Sequence, residues 1–282
     1  MKLKTFKTLW GNSLPIAQAC RSATAAGFDG IEARAPNREK LPVWISAIQA
    51  EQCDYIAEIV SGGDYVPDRS WTPQQHLDDI EQQITQALPL NPLFANCIVG
   101  CDAWSETESI EFFSKAMALQ EQYGLTLSFE THRSRPTYNP WSTLRIAQAL
   151  PDLKLTADIS HWCVVCERLM DSENETLERL IPQIHHLHAR VGYDQGPQVP
   201  DPRAPEYRTA LQSHLRFWQK IIQYRAFNKS SQTTMTPEFG PDGYCHLQPY
   251  TQMPVVDIWE VNQWVNQRLK QEFSEYNSIE NR

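Results

Sequence analysis

The sequence predicts an α/β fold, a single (β/α)8 TIM barrel, on the basis of three observations. The chain has 282 residues, close to the roughly 250 that are typical of such a barrel. Apolar strand-like runs alternate with amphipathic helix-like runs from end to end, which indicates a parallel sheet with helical crossovers. Several strand-like runs are apolar on both faces, as buried parallel strands are. A doubly wound open sheet is the alternative, but no G-x-G-x-x-G motif follows the first strand.

Eight strand-helix units account for almost the whole chain. The predicted strands are Thr5–Gly11, Gly30–Arg34, Asp54–Ser61, Leu93–Cys101, Leu125–Thr131, Leu153–Ile159, Ile184–Val191 and Thr233–Glu238. The predicted helices are Leu14–Ala26, Leu41–Glu51, Pro73–Ala87, Glu106–Tyr123, Pro140–Ala149, Glu173–Leu180, Pro205–Arg225 and Val256–Phe273. Thr72 and Ser105 are expected to cap the third and fourth helices, and Gly124 to end the fourth. One domain is expected to cover residues 1–282, with residues 274–282 as a frayed polar tail.

Composition narrows the function classes. Hydrophobic residues make up 41% and charged residues 21%, an ordinary globular balance. A net charge of −9 and a pI near 5.4 argue against a nucleic-acid partner, which requires a basic face. No run approaches the roughly 20 apolar residues of a membrane helix, and the N-terminus lacks the apolar run of a signal peptide. We therefore expect a cytoplasmic protein that does not bind membranes.

The cysteines indicate reduced thiols. Their count is seven, an odd number that does not fit a disulfide framework. Cys163 and Cys166 have the C-x-x-C spacing of redox or zinc motifs, but no second pair accompanies them and the context is not that of a thioredoxin-like motif. We interpret this pair as structural or incidental.

Four segments in the second half each place a candidate metal ligand at the end of a predicted strand. They read LTLSFE, LTADISH, IHHLHAR and TMTPEFG. Three carboxylates and one imidazole suit one divalent ion such as Mn²⁺, Co²⁺, Mg²⁺ or Zn²⁺. Because barrel active sites lie at the C-terminal strand ends, and consecutive strands are neighbours, the groups are expected to converge. The candidate ligands are Glu130, Asp158, His188 and Glu238.

The carboxylates also have simpler interpretations. Asp158, followed by Ser160, fits the start of a helix, where both residue types are favoured. Glu130 and Glu238 each end an apolar run, where an arginine partner is the alternative to a metal. Arg133 and Arg135 are close enough in sequence to Glu130 for that role.

Two of the three histidine side chains in the seventh strand are expected to point into the barrel. Strand alternation places His186 and His188 on one face and His185 on the other. A histidine in a strand is more often a core residue than a ligand. His188 is preferred as the ligand because it lies nearer the C-terminal end. Arg190 shares its face and is a candidate for contact with an anionic or hydroxylated substrate.

Two long loops, 131–140 and 192–205, follow the fifth and seventh strands and are expected to roof the site. They are rich in proline, arginine and aromatic residues. Capture of a phosphate, carboxylate or polyol is one interpretation of their arginines, and pairing with Asp194, Asp201 and Glu206 is the other. The arginines in question are Arg133, Arg135 and Arg203.

These motifs resemble the xylose isomerase-like barrel superfamily, specifically its sugar phosphate isomerase/epimerase branch. The resemblance spans nearly the whole chain and is sharpest in LSFETH, ADISHW, HLHARV and TPEFGP. It implies that Glu130, Asp158, His188 and Glu238 bind one divalent metal and that both glutamates act as the acid/base pair. It also implies substrate contact by His161. His132, and Glu32 at the end of the second strand, are further candidates for substrate contact.

The resemblance implies an isomerase or epimerase that transfers a proton through an enediolate of a sugar or sugar phosphate. A dehydratase on the same scaffold is the first alternative. An endonuclease for abasic sites is the second, but the first four strand ends lack histidine and Asp201-Pro-Arg203 carries arginine where that activity places histidine. Barrel enzymes often form dimers or tetramers, and the sequence identifies no interface. Substrate and physiological metal also stay open.

Overall fold

The computed structural model describes residues 1–241 and 243–277, and eight parallel strands in this part of the chain form a closed barrel. Each strand pairs with the next, and β1 pairs with β8 to close the ring. The strands are β1 (Lys2–Thr8), β2 (Gly30–Arg34), β3 (Asp54–Val60), β4 (Ala95–Ile98), β5 (Leu127–Glu130), β6 (Leu155–Ala157), β7 (Ile184–His188) and β8 (Gln232–Thr236). The predicted (β/α)8 TIM barrel is confirmed.

Helices surround the barrel, and their ends follow local sequence signals. Thr72 and Ser105 each form a capping box, in which the hydroxyl oxygen accepts from the backbone N–H three residues later. Gly124 ends its helix at a φ of 63°, in the left-handed region that favours glycine. The helices are α1 (Ile16–Ala25), α2 (Leu41–Ala50), α3 (Pro73–Ala87), α4 (Glu106–Tyr123), α5 (Pro140–Ala149), α6 (Ile159–Val165), α7 (Asn174–Leu180), α8 (Arg208–Phe227), α9 (Ile258–Glu272) and α10 (Ser274–Asn277).

Two element predictions were wrong in ways that affect the site. The first strand begins and ends three residues earlier than predicted, because residues 2–5 pair with residues 232–235 of β8. Trp10 therefore lies beyond the strand, at the mouth of the barrel. The sixth strand stops at Ala157, and α6 begins directly after Asp158, where a strand had been predicted to continue.

The barrel separates a main apolar core from a polar interior. Most buried apolar side chains pack between the strands and the surrounding helices. Inside the ring, Phe6, Ile56 and Phe94 form a separate small cluster. The interior also holds buried polar side chains, such as Ser128 and Thr156, whose hydroxyl oxygens lie 2.7 Å apart. A polar interior of this kind can bring ionisable groups together away from solvent.

The predictions about the C-terminal tail, the cysteines and membrane-spanning helices can be compared with the structure. The tail was predicted to fray from residue 274, but residues 274–277 form α10; residues 278–282 lie outside the described part. All seven cysteines, including Cys163 and Cys166, are free and buried. Within the described residues, the helices include none with both the length and the apolarity that a membrane crossing requires.

Candidate metal centre

The four predicted ligands lie at the C-terminal ends of consecutive strands. Glu130 is the last residue of β5, Asp158 directly follows β6, His188 is the last residue of β7, and Glu238 lies two residues beyond β8. All four residues are buried, with 6% exposure or less. One ligand atom from each lies within 4.8 Å of those of the other three. We call Glu130, Asp158, His188 and Glu238 the four-ligand group.

The centre of the group contains polar atoms that lack partners. His188 Nδ1 lies 2.8 Å from Glu238 Oε2, yet neither atom makes an aligned hydrogen bond in the described structure. Glu130 Oε2 lies 3.5 Å from the same imidazole nitrogen. Buried polar atoms are nearly always satisfied, so an exception requires an explanation. One nitrogen and several carboxylate oxygens aimed at one point fit a divalent cation.

A carboxylate holds the other edge of the His188 ring. Glu32, on β2, accepts a hydrogen bond from His188 Nε2 (2.9 Å) and also contacts His186 Nε2 (3.3 Å) and the hydroxyl of Thr236. A metal-binding histidine typically donates its second N–H to such a carboxylate, which fixes the tautomer and the ring orientation. The observed contacts of Glu32 therefore favour positioning of His188, whereas the sequence analysis assigned it to substrate contact.

The electrostatics of the centre favour added positive charge. Burial, followed by the negative charges of Glu238 and Asp158, raises the pKa of Glu130 to about 8 against the opposing effect of His188. Burial lowers the pKa of His188, but Glu238, Glu32 and Glu130 outweigh it and hold that pKa well above the ordinary value. Without a metal, protons thus occupy positions that a divalent ion would take.

Asp158 carries out two structural tasks at once. Its Oδ1 accepts from the backbone N–H of Ser160 (3.0 Å) and caps α6, so the helix-cap interpretation is correct for this oxygen. Its Oδ2 accepts from the guanidinium of Arg190. Arg190 also reaches Glu238, with Nη1 at 3.5 Å from Oε2. The arginine partner considered for the glutamates is therefore present for Glu238, and it comes from the segment directly after β7 rather than from the loop after β5.

The predicted substrate-contact histidines lie beside the four-ligand group. The rings of His132 and His161 are 3.9 Å apart, and His161 Nε2 lies 2.7 Å from Arg190 Nη2 and 4.0 Å from Glu130 Oε1. Burial lowers the pKa of both histidines well below the ordinary value, and neighbouring cationic groups add to the effect. Both rings are therefore neutral near pH 7.

Three aromatic side chains that the sequence analysis did not single out cover the centre. Trp10 follows β1, Tyr65 lies in the loop after β3, and Tyr244 lies in the loop after β8. The Trp10 ring is 5.9 Å from Tyr65 and 4.9 Å from Tyr244. A Cβ on Gly240 would lie 1.9 Å from the Trp10 ring, so the TPEFG segment needs glycine there. We call Trp10, Tyr65 and Tyr244 the aromatic wall.

Two of the three loop arginines are engaged away from the four-ligand group, whereas the guanidinium of Arg133 lies 4.9 Å from the ring of Tyr244. Arg203 pairs with Asp201 (2.8 Å), as the alternative proposed. Arg135 is fully buried and donates to four backbone carbonyls, including those of Ser61 and Gly100. Its guanidinium therefore holds the loop after β3, which carries Tyr65. Arg190 contacts the four-ligand group directly.

The comparisons with known proteins identify the fold. No protein-family profile matches the chain, and no curated protein matches its sequence significantly. A D-allulose 3-epimerase from Methylomonas sp. has a TM-score of 0.68 at 9% identity, over 96% of this chain and 97% of that one. A probable 3-DHS dehydratase from Bacillus anthracis has a TM-score of 0.62 at 15% identity, over 96% and 99%.

A third solved structure is described as a xylose isomerase-like TIM barrel protein from Mycobacterium smegmatis in complex with magnesium. Its TM-score is 0.61 at 12% identity, over 98% of each chain. The predicted resemblance to xylose isomerase-like barrels is confirmed for the fold. Endonuclease IV from Thermus thermophilus also matches, with a TM-score of 0.58 at 12% identity, over 98% of this chain and all of that one. The neighbours include an epimerase, a dehydratase and an endonuclease, and at these identities they show the fold alone, so any reaction must be argued from the site.

Proposed function

We propose that the protein is a divalent-metal-dependent isomerase or epimerase of a sugar or sugar phosphate. The convergence of the buried four-ligand group at the C-terminal ends of four consecutive strands carries this proposal. A bound divalent ion would polarise the carbonyl of a ketose and stabilise the negative charge that develops when the neighbouring carbon loses its proton. Mn²⁺, Co²⁺, Mg²⁺ and Zn²⁺ all accept this ligand set.

Two glutamates can move protons on opposite sides of a substrate. Glu130 and Glu238 come from β5 and β8, with the residues of β6 and β7 between them. One carboxylate removes the proton beside the carbonyl, and the other donates a proton. Return to the opposite face of the same carbon gives an epimer, and return to the neighbouring carbon gives an isomer.

The remaining polar residues have defined roles in this proposal. Glu32 fixes the His188 ring so that Nδ1 faces the ion. His132 and His161, both neutral, and Arg190 bind substrate oxygens. The aromatic wall excludes water, which protects the reactive intermediate and strengthens electrostatic interactions in the site.

The dehydratase alternative needs an acid for the leaving hydroxyl group. His132 and His161 lie beside the four-ligand group, but burial lowers the pKa of both rings and so makes them weak acids near pH 7. This observation supports proton transfer without loss of water. The endonuclease alternative is less supported, because Arg203 is engaged by Asp201 and the net charge is −9.

A screen in D₂O tests the proposal. Protein loaded separately with each of the four metals is incubated with ketoses, aldoses and their phosphates, and the products are followed by NMR. We expect an epimer or isomer that carries solvent deuterium at the carbon to which the proton is returned. A product with an enone-like ultraviolet absorption would show a dehydratase instead. Cleavage of an abasic-site DNA duplex, with no sugar turnover, would favour the endonuclease.

A further inference from the structure

The space at the proposed metal centre is too small for a sugar. The cavity lined by Glu130, Glu238 and His132 has a volume of about 10 Å³, which is about what a single water molecule requires. Ligand pockets in proteins usually measure about 300–1,000 Å³. A substrate must therefore draw on additional space next to the four-ligand group.

A much larger cleft lies immediately beyond the aromatic wall. Its volume is about 700 Å³, and it opens between the C-terminal ends of β1 to β3 and the start of α2. Trp10 and Tyr65 line both this cleft and the small cavity. Tyr65 faces His132 on the metal side, with ring centroids 6.3 Å apart, and the guanidinium of Arg34 on the cleft side, at 4.9 Å. The side chains of Trp10 and Tyr65 thus separate the cleft from the small cavity at the four-ligand group.

The cleft combines apolar surfaces with several polar side chains, of which Glu58 is buried. Glu58 is 7% exposed and accepts hydrogen bonds from Arg34 Nε (3.0 Å) and from the Tyr65 hydroxyl (3.1 Å). Trp10 and Trp44 supply aromatic surface. This combination suits a sugar ring, whose C–H faces pack against aromatic rings while its hydroxyl groups bond to fixed polar groups. The remaining polar lining residues are Asn12, Asn37 and Lys40.

We propose that the cleft binds a second sugar ring, so that the substrate is a glycosylated keto-sugar rather than a free monosaccharide. The reacting sugar lies at the four-ligand group and its glycosidic substituent lies in the cleft, with Trp10 and Tyr65 at the junction. This inference rests on the proposed function for the reacting sugar. The sharing of Trp10 and Tyr65 between the two spaces supports it.

Val43 offers a way to fill the cleft without touching the metal centre. It lies on α2, lines the cleft and is 62% exposed, so Val43→Trp adds bulk there with little effect on the core. Val255 is 46% exposed and is not among the cleft residues, so Val255→Trp is the matched control. The probes are D-fructose and three disaccharides whose fructose unit keeps its carbonyl group: turanose, lactulose and isomaltulose.

Kinetics with the metal-loaded protein test the inference. We expect kcat/KM for at least one disaccharide to exceed that for fructose about tenfold or more, the range that an apolar pocket supplies. Val43→Trp should remove this advantage of the disaccharide and leave kcat/KM for fructose within about twofold of the wild-type value. Val255→Trp should change neither value of kcat/KM. Preference for fructose in the wild type, or equal loss on both substrates in Val43→Trp, would overturn the inference.

Calorimetric binding separates failure of the cleft from failure of the proposed reaction. If no sugar is turned over while metal is bound, the isomerase proposal fails for these sugars, and the cleft is judged by affinity alone. A disaccharide Kd that weakens about tenfold in Val43→Trp would still support the cleft. Absence of binding by all three disaccharides would contradict it.

Discussion

The two halves of the barrel mouth differ in charge and in shape. The half formed by β5 to β8 carries the four-ligand group in a space of about 10 Å³. The half formed by β1 to β3 carries aromatic side chains around a cleft of about 700 Å³. Its buried carboxylate, Glu58, is neutralised by Arg34 at 3.0 Å, whereas Glu130 has no arginine partner in the described structure.

This difference assigns separate tasks to the halves. Buried carboxylates are costly without compensating positive charge, and a site that gathers three of them around a single arginine is suited to bind a cation and move protons. An aromatic cleft is suited to select a substrate by shape. In our account β5 to β8 carry out the chemistry and β1 to β3 determine which sugar is accepted.

The largest expected effect comes from the two glutamates. Glu130→Gln and Glu238→Gln should each lower kcat about 10²–10⁴-fold, the usual contribution of a general acid or base. Metal content should persist because the amide oxygen and the other three ligands remain. The measurement is kcat together with metal analysis of each variant.

Glu111→Gln, on the exposed face of α4, is the control and should behave as the wild type. If either glutamine variant of the four-ligand group retains metal and full activity, the two-base mechanism is wrong.

Glu32→Gln should weaken metal binding about 10–100-fold although Glu32 is not in the four-ligand group. The amide cannot accept from His188 Nε2 as strongly as the carboxylate does, so Nδ1 is held less firmly toward the ion. Titration with Mn²⁺ gives the Kd. Thr236→Val removes a different contact of Glu32 and should have a smaller effect. An unchanged Kd in Glu32→Gln would indicate that Glu32 does not position the ligand.

Metal affinity should fall as the pH falls below about 8. The metal-free protein holds a proton on Glu130, whose pKa is raised to about 8, and another on His188, whose pKa is also raised. Both must leave for the metal to bind, so each displaced proton weakens the apparent affinity about tenfold per pH unit below its pKa. The Mn²⁺ Kd measured from pH 6 to 9 tests this. A Kd independent of pH would contradict the arrangement of charges described here.

The smallest expected effect comes from a substitution in the half of the barrel mouth formed by β1 to β3. Tyr65→Phe removes the hydrogen bond to Glu58 (3.1 Å) but keeps the ring in the aromatic wall, and Arg34 still pairs with Glu58. One hydrogen bond contributes about 0.5–1.5 kcal/mol, so KM should rise by a factor of about 2–12 with little change in kcat. A large fall in kcat would show that Tyr65 takes part in the reaction itself. It would then contradict the assignment of separate tasks to the two halves of the barrel mouth.

The sequence predicted the ligand half of the mouth better than the cleft half. Glu130 and His188 stand out because a charged or polar side chain at the end of an apolar run needs a partner. Their predicted strands ended close to the observed ones, so their convergence followed from barrel topology. Asp158 was identified as a ligand candidate, although the short helix that it caps was missed.

The cleft depends on tertiary contacts that no local pattern reveals. Trp10 was predicted to lie within a strand because TFKTLWG reads as one apolar run, whereas pairing with β8 places the strand earlier. Tyr65 lies in a loop held by Arg135, seventy residues away in sequence. Glu58 lies in a correctly predicted strand, but nothing local indicated its pairing with Arg34 across to β2.

Anomalous diffraction from crystals soaked in Mn²⁺ tests the central claim most directly. The account predicts one strong peak per chain, within coordination distance of Glu130, Asp158, His188 and Glu238, and its loss in a variant that combines His188→Ala with Asp158→Ala. More than one peak in the site would contradict a centre that holds a single ion. Absence of any peak there, with Arg190 still paired to Asp158, would show that arginine neutralises these carboxylates and that this is not a metal site.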